Sequence, residues 1–184
     1  MSKTGSVRII AGKWRSRRIH FIDQIDLRPT HDRLRETLFN WLAPYVEDSN
    51  CLDLFSGSGA LGFEALSRGA KAVTFIDNSR DVCKLLGETI DVLNAESTKI
   101  INARIPENRI KLQEKFDIVF LDPPFRKGLL SPALSWLLSL DVLNDDSLLY
   151  VEFERRHDFE PPEGWQWKRL KDTKSVKYGL LERQ

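Results

Sequence analysis

Three short stretches of this 184-residue chain carry side chains that could do chemistry together. The first, Cys51 to Gly62, is an apolar run interrupted by one carboxylate, Asp53, and followed by a glycine turn at Gly57 and Gly59 and then by helical composition. Strand, tight turn and helix in that order begin a βαβ unit, whose turn aims backbone N–H groups and a helix N-terminus at a ligand above the sheet edge. The second stretch ends in Asp77, 20 residues after Gly57, so Gly57-x-Gly59-x-x-Gly62 with Asp77 also satisfies the dinucleotide fingerprint. Asp53 weighs the other way. Its carboxylate projects toward the turn, where it would repel a pyrophosphate and attract the sulfonium and ammonium of S-adenosylmethionine. The plainer alternative is that Asp53 caps the turn and the glycines only permit positive φ.

The third stretch is Asp122-Pro123-Pro124-Phe125. Two prolines end strand pairing, hold the backbone extended and remove N–H groups, leaving the Asp122 side chain and nearby carbonyls as acceptors. An exocyclic amine on a nucleobase is a poor nucleophile, because its lone pair is delocalised into the ring. A carboxylate and a carbonyl that accept its two N–H bonds can aim that lone pair and stabilise the charge it develops, roles suited to Asp122 and the Pro123 carbonyl. Phe125 can stack on a base presented out of its helix. The alternative is a strand-terminating turn with Phe125 packed on the sheet.

The elements needed to bring these stretches together are legible in outline. Lys71 to Asp77, Lys99 to Asn102, Phe116 to Leu121 and Ser147 to Phe153 read as further strands, and Phe116–Leu121 is apolar enough for a central parallel position. A helix opens near Thr30 and Asp32 and carries an apolar stripe of Leu34, Leu38, Trp41 and Leu42. Ala60–Arg68 is a second helix ending at Gly69, and Val82 to Leu93 repeats with a period near 3.6. Leu129–Leu143 has helical apolar content, and Trp165–Leu170 and Ser175–Leu181 suggest a final antiparallel hairpin. At the N-terminus, Val7–Ile10 and Ile19–Ile22 read as two strands flanking a turn that exposes cations and one aromatic, Trp14.

Composition narrows the possibilities. Apolar residues are 41% and charged residues 30%, ordinary for a single globular domain. No apolar run reaches membrane-spanning length and no signal core follows the basic start, so a cytosolic protein is expected. The two cysteines offer no disulfide framework, and the scattered histidines offer no metal site. Charge is uneven: residues 1–35 carry nine Lys or Arg against three acids, a local +6 within a total of +1, which leaves −5 for the remaining 149 residues. A basic segment on a mildly acidic body suggests a localised polyanion contact, with solubility alone as the alternative.

The order of these stretches resembles the RsmD family of ribosomal RNA guanine-N2 methyltransferases. The likeness is carried by Arg8-Ile9-Ile10-Ala11-Gly12, by Arg28-Pro29-Thr30 through Asp32-Arg33, by Arg35 to Leu42, by Leu52 to Arg68 and by Phe120 to Phe125. It implies an α/β Rossmann-like fold with a seven-stranded, mostly parallel sheet, a C-terminal antiparallel hairpin and a small N-terminal β-extension. Residues 1–27 would form the basic extension and 28–184 the methyltransferase domain. It also implies S-adenosylmethionine as donor with no metal, and a guanine amine of 16S ribosomal RNA in the small subunit, or an assembly intermediate of it, as acceptor. By motif position Asp53, Phe55, Ser56, Gly57, Gly59, Asp77 and Asn78 would contact the donor, with Asp77 on its ribose, and Asp122, Pro123 and Phe125 the reacting base. Arg8, Lys13, Arg15, Arg17, Arg18, Arg28, Arg33 and Arg35 would face RNA. Where an adenine-binding acid or amide often follows the third strand, this chain has Asn102-Ala103-Arg104. Competing readings are methylation of adenine or of a protein glutamine, a non-catalytic RNA-binding module, and a nicotinamide enzyme. A monomer is expected.

Overall fold

Apolar runs such as Cys51–Leu54, Val73–Ile76 and Ile118–Leu121 leave no face for solvent, and strands of that kind belong in the middle of a sheet covered on both sides. A computed structural model, which describes residues 4–22 and 30–184, places them there. After an antiparallel pair, β1 (Thr4–Arg8) and β2 (Arg18–Ile22), the order is α1 (Thr30–Leu42), β3 (Asn50–Asp53), α2 (Ala60–Ser67), β4 (Ala72–Asp77), α3 (Arg80–Leu93), β5 (Thr98–Asn102), β6 (Phe116–Leu121), α4 (Leu130–Leu138), β7 (Leu143–Glu154), β8 (Trp165–Asp172) and β9 (Val176–Arg183). The main sheet runs β5-β4-β3-β6-β7-β9-β8, parallel from β5 to β7, with β9 inserted antiparallel between β7 and β8.

Alternation along the strands divides the core. Cys51, Val73, Phe75, Ile118, Phe120, Leu148 and Tyr150 face α1, α2, α3 and the N-terminal hairpin, whereas Leu52, Ile76, Val119, Leu121, Leu149 and Val151 face α4. Helix α1 packs on β6 and β9 through aromatic contacts: Phe39 to Phe120 at 6.0 Å and Trp41 stacked on Tyr178 at 5.6 Å between ring centroids. The lone acid within β6, Asp117, lies at the opposite end from the site. It accepts the Asn50 N–H at 2.8 Å and the Asn144 amide at 2.6 Å, tying the starts of three strands together.

Three elements differ from the sequence reading: the first strand runs Thr4–Arg8 and not Val7–Ile10, and the last parallel strand and the helix before it are bounded differently. Strand β7 begins at Leu143, not Ser147, because Leu143 pairs with Phe116 before the register jumps to Leu148 opposite Ile118. That early pairing ends the preceding helix at Leu138. In the hairpin, Trp14 is not an exposed aromatic: it is 7% exposed and packs into the core beneath the turn, with the Lys13 ammonium 4.3 Å from its ring centre.

The hairpin turn is clamped to α2 by that helix's own side chains. Glu64, fully buried, accepts the backbone N–H groups of Ile10 and Ala11 at 2.7 and 3.0 Å and pairs with Arg68 at 2.7 Å. Ser67 donates its hydroxyl to the Ala11 carbonyl and accepts the Trp14 N–H. Gly12 makes this approach possible: its φ is +81°, and a Cβ there would lie 1.8 Å from the Ser67 carbonyl oxygen. Gly12→Ala is therefore expected to destabilise the chain by about 2–4 kcal/mol in chemical denaturation, combining a left-handed backbone with a clash against rigid main chain. A loss below about 1 kcal/mol would show that the turn is not held against α2.

Candidate functional site

Parallel register fixes which side chains meet at the C-terminal edge of the sheet. Asp53 is aligned with Phe75 on β4 and with Phe120 on β6, and Phe120 is aligned with Tyr150 on β7. These side chains share one face, and two residues further on the same face carries Asp77, Asp122 and Glu152. Four adjacent strands thus bring four acids to one edge.

Three of the acids open onto a single cavity of about 310 Å³, whose lining includes Asp53, Phe55, Ser56, Gly57, Asp122, Pro123, Phe125, Tyr150 and Glu152. Val82, Leu85 and Leu86 of α3, Leu34 and Arg35 of α1, and Phe21 of the hairpin supply further wall. Asp53 and Asp122 therefore address one space, the condition for transfer between ligands held by each. Phe125 sits at the mouth, 40% exposed, with its ring available for stacking.

Asp53 both caps and faces the cavity. Its Oδ2 accepts the Gly62 N–H in the first turn of α2 at 3.3 Å, while burial among apolar walls pushes its pKa up to about 7 against the pull of that hydrogen bond, with the Asp77 charge raising it further. Asp122 is raised well above its ordinary value by desolvation and then by the charges of Glu152 and Asp53. Glu152 accepts the Tyr150 hydroxyl at 2.8 Å on Oε2, and burial raises it to about 7 despite that bond. The edge is short of positive charge and desolvated, so a cation or a cluster of N–H donors is the ligand it favours.

Of the sequence-derived donor residues, Gly59, Asp77 and Asn78 do not line this cavity. Gly59 is buried at φ +74° as the N-cap of α2, and a Cβ would strike Leu86 and Phe63. Asp77 grips the turn from behind: its Oδ2 accepts the Gly57 N–H at 3.0 Å and its Oδ1 the Ser79 N–H at 2.9 Å. Asn102, paired in register with Asp77, donates its amide to the Asp77 carbonyl at 2.9 Å. These residues shape the loop that carries Phe55, Ser56 and Gly57.

Of the cations expected to face RNA, Arg8, Lys13, Arg15, Arg17, Arg18 and Arg33 are exposed, and Arg28 lies outside the described residues. Arg35 is a correction. It is 4% exposed on the cavity wall, where its Nη2 donates to the Arg8 carbonyl at 2.5 Å and pairs with Asp32 at 2.9 Å, because α1 turns that side chain inward beneath β1. Sequence reasoning missed Glu152 and Tyr150. The available signal was an acid inside the buried run Leu148–Phe153, a position that needs a reason.

A mostly parallel seven-stranded sheet with an antiparallel final pair, bearing its acids at the glycine turn and at an Asp-Pro-Pro-Phe loop, defines the Rossmann-like methyltransferase fold. The solved structure of yhhF from Escherichia coli superimposes with a TM-score of 0.90 at 42% identity, covering 98% of this chain and 99% of that one. RsmC, a T. thermophilus 16S rRNA N2 methyltransferase solved with AdoMet and guanosine, shares the fold at TM-score 0.75 and 19% identity, over 99% of this chain and 50% of that one. Residues 7–182 match the family described as Conserved hypothetical protein 95. The chain is 44% identical to ribosomal RNA small subunit methyltransferase D of Haemophilus influenzae over 97% of its length and 94% of the relative's, and 42% identical to that of Escherichia coli over 100% and 93%. It belongs to this ribosomal RNA small subunit methyltransferase D family. Among the described residues no cluster of acids, histidines and cysteines is placed to hold a metal, and no helix is long and apolar enough to cross a membrane.

The position of Asp53 gives a pH test. Its folded pKa of about 7 exceeds the ordinary carboxylate value, so the neutral form is favoured on folding; that stability is complete below about pH 4 and is lost as pH rises through 7. Binding of a cationic ligand runs oppositely, because it needs the ionised form. Affinity for S-adenosylmethionine is expected to rise up to about tenfold per unit between about pH 5.5 and 7 by calorimetry, and Asp53→Asn to flatten the profile. A wild-type profile already flat would remove Asp53 from the donor site.

Proposed function

We propose that this protein transfers a methyl group from S-adenosylmethionine to the exocyclic N2 amine of a guanine in 16S ribosomal RNA, acting as a monomer in the cytoplasm on the small subunit or an assembly intermediate. The observation that carries this reading is the shared cavity: Asp53 beside the glycine turn and Asp122 of the Asp-Pro-Pro-Phe loop line the same space. The names of the relatives at 42–44% identity supply the substrate class.

The donor suits the site on chemical grounds. A buried carboxylate next to the backbone N–H groups of a helix N-terminus offers one partner for a cationic centre and others for a carboxylate, and the apolar wall from α3 accommodates an adenine ring. Asp53, Phe55, Ser56 and Gly57 would hold the donor, with Asp77 and Asn78 at the edge of that site. S-adenosylmethionine, when bound, would supply an electrophilic methyl group, its S–CH3 bond breaking to leave a neutral thioether as N2 forms the new bond and gives up one proton. Asp122 and the Pro123 carbonyl accept the two N2 hydrogens, localise the amine lone pair and stabilise its developing positive charge. Phe125 supports the extruded guanine by stacking.

Exposed cations on the hairpin extend this site toward RNA. Arg17 donates to the Val92 carbonyl at the end of α3, and Arg18 to the Ser6 hydroxyl, which presents both from a fixed support. We assign the 1–27 segment to RNA contact and 28–184 to the methyltransferase domain, with the hairpin sharing the main core.

Incubating the protein with labelled donor and small subunits lacking the mark, then mapping the modified base, tests the assignment. Asp122→Ala is expected to keep donor affinity and lose at least about a hundredfold in transfer rate; unimpaired turnover would reject the role given to Asp122. Replacing Arg15, Arg17 and Arg18 by Gln is expected to weaken RNA binding and to lower the salt dependence of log K by roughly two to three, about 0.7–0.9 per lost phosphate contact. An unchanged slope would place RNA on another face.

A further inference from the structure

Glu152 is 3% exposed, directly follows the buried run Leu148–Val151 of β7, and lines the cavity beside Asp122, yet methyl transfer as described leaves it without a task. A buried carboxylate is costly unless something donates to it. Tyr150 satisfies Oε2 at 2.8 Å, and among the described residues no Lys or Arg forms an ion pair with Glu152. Arg35, on the same wall, is engaged by the Arg8 carbonyl and Asp32. Two neighbouring carboxylates with this little compensation call for a ligand edge that offers several adjacent N–H donors.

Strand order sets which donor meets which acid. Asp53, Asp122 and Glu152 come from β3, β6 and β7, adjacent strands about 4.8 Å apart, so an object lying across the edge meets them in that sequence. The Watson–Crick edge of guanine presents three hydrogens on neighbouring atoms, two on N2 and one on N1. With N2 nearest the methyl donor and gripped by Asp122, N1 falls on the β7 side. Other amines offered to such a loop fail there. Adenine and cytosine place a ring-nitrogen lone pair beside the amine, and a glutamine amide places its oxygen there, each of which would face a carboxylate.

We propose that Glu152 is the specificity-determining residue of this site, accepting the guanine N1–H while Asp122 and the Pro123 carbonyl accept the two N2 hydrogens, an assignment that rests on the methyl-transfer reading above. Tyr150 is a positioning residue, holding the Glu152 carboxylate toward the base through its hydroxyl.

The test uses 2-aminopurine, which keeps the reactive amine and replaces N1–H by a lone pair. Small subunits reconstituted with guanine or 2-aminopurine at the mapped position are compared in single-turnover methyl transfer. The wild-type protein is expected to prefer guanine by about a hundredfold, the scale of a lost hydrogen bond to a buried charged acceptor. Glu152→Gln, which can turn an N–H toward the lone pair, is expected to narrow that preference at least about tenfold with donor affinity unchanged. Should it fail to fold, Tyr150→Phe is expected to narrow the preference in the same direction by a smaller factor. Equal wild-type rates on the two bases, or a preference untouched in every folded variant, overturns the assignment to Glu152 while leaving methyl transfer standing. No transfer to guanine subunits by the wild type instead overturns the underlying reaction together with this proposal.

Discussion

Desolvated negative charge at one edge of the sheet is the constraint on which the rest of the structure depends. Asp53, Asp122 and Glu152 converge on a mainly apolar cavity, and each is raised above its ordinary pKa chiefly by burial. Unpaired, such a cluster would cost several kcal/mol per charge, more than a marginally stable domain tolerates. The fold relieves it in part, through the Gly62 N–H on Asp53 and the Tyr150 hydroxyl on Glu152. The remaining demand falls on whatever fills the cavity, which must bring positive charge or N–H donors to this edge. Walls contributed by α1, α3 and the hairpin are what make that demand strong, because they keep water from meeting it.

Helix α2 joins the acid-lined cavity to the basic hairpin. It has eight residues, about 12 Å of helix. Its first turn presents Gly62 to Asp53, and its last turn holds the hairpin through Glu64 and Ser67. The exposed cations of the hairpin turn are therefore placed relative to the cavity by one rigid element, not by a flexible arm. The arginine-bearing N-terminal motif acquires a physical meaning in this arrangement: Ile10 and Ala11 supply the N–H groups that satisfy a buried carboxylate, and Gly12 allows main chain to touch main chain.

Much of this was legible in the sequence. Glycine turns, apolar runs and proline stops are local, so the strands, the two acid-bearing loops and the antiparallel end could be placed from residue type alone. What was hidden depends on register and on contacts between distant segments. Nothing local reveals that Glu152 is aligned with Asp122; only the pairing of Leu121 with Val151 does. Trp14 and Arg35 have the look of surface residues, and each is buried by an element more than 20 residues away: Ser67 holds the backbone of one, and the Arg8 carbonyl takes the guanidinium of the other. The extended reading of the helix after Phe125 failed for the same reason, since Leu143 is claimed by a strand partner at Phe116.

The ambiguity between a dinucleotide site and a sulfonium-donor site also has a structural origin. Gly57, Gly59 and an acid 20 residues later are what the turn needs to exist, whatever it binds: Gly57 and Gly59 take positive φ, Gly59 starts α2 against Phe63 and Leu86, and Asp77 accepts the Gly57 N–H. A fingerprint built from these residues reports backbone geometry and is shared by folds with different ligands. Discrimination comes from Asp53: the buried Gly62 N–H needs only one acceptor and takes its Oδ2, while the same carboxylate also lines the cavity, which the shape of the turn does not call for. Placing a carboxylate there in an apolar pocket is unfavourable for the folded chain alone and favourable once a cation is bound. Residues that cost the apo fold and help the complex carry more information about function than residues that help both.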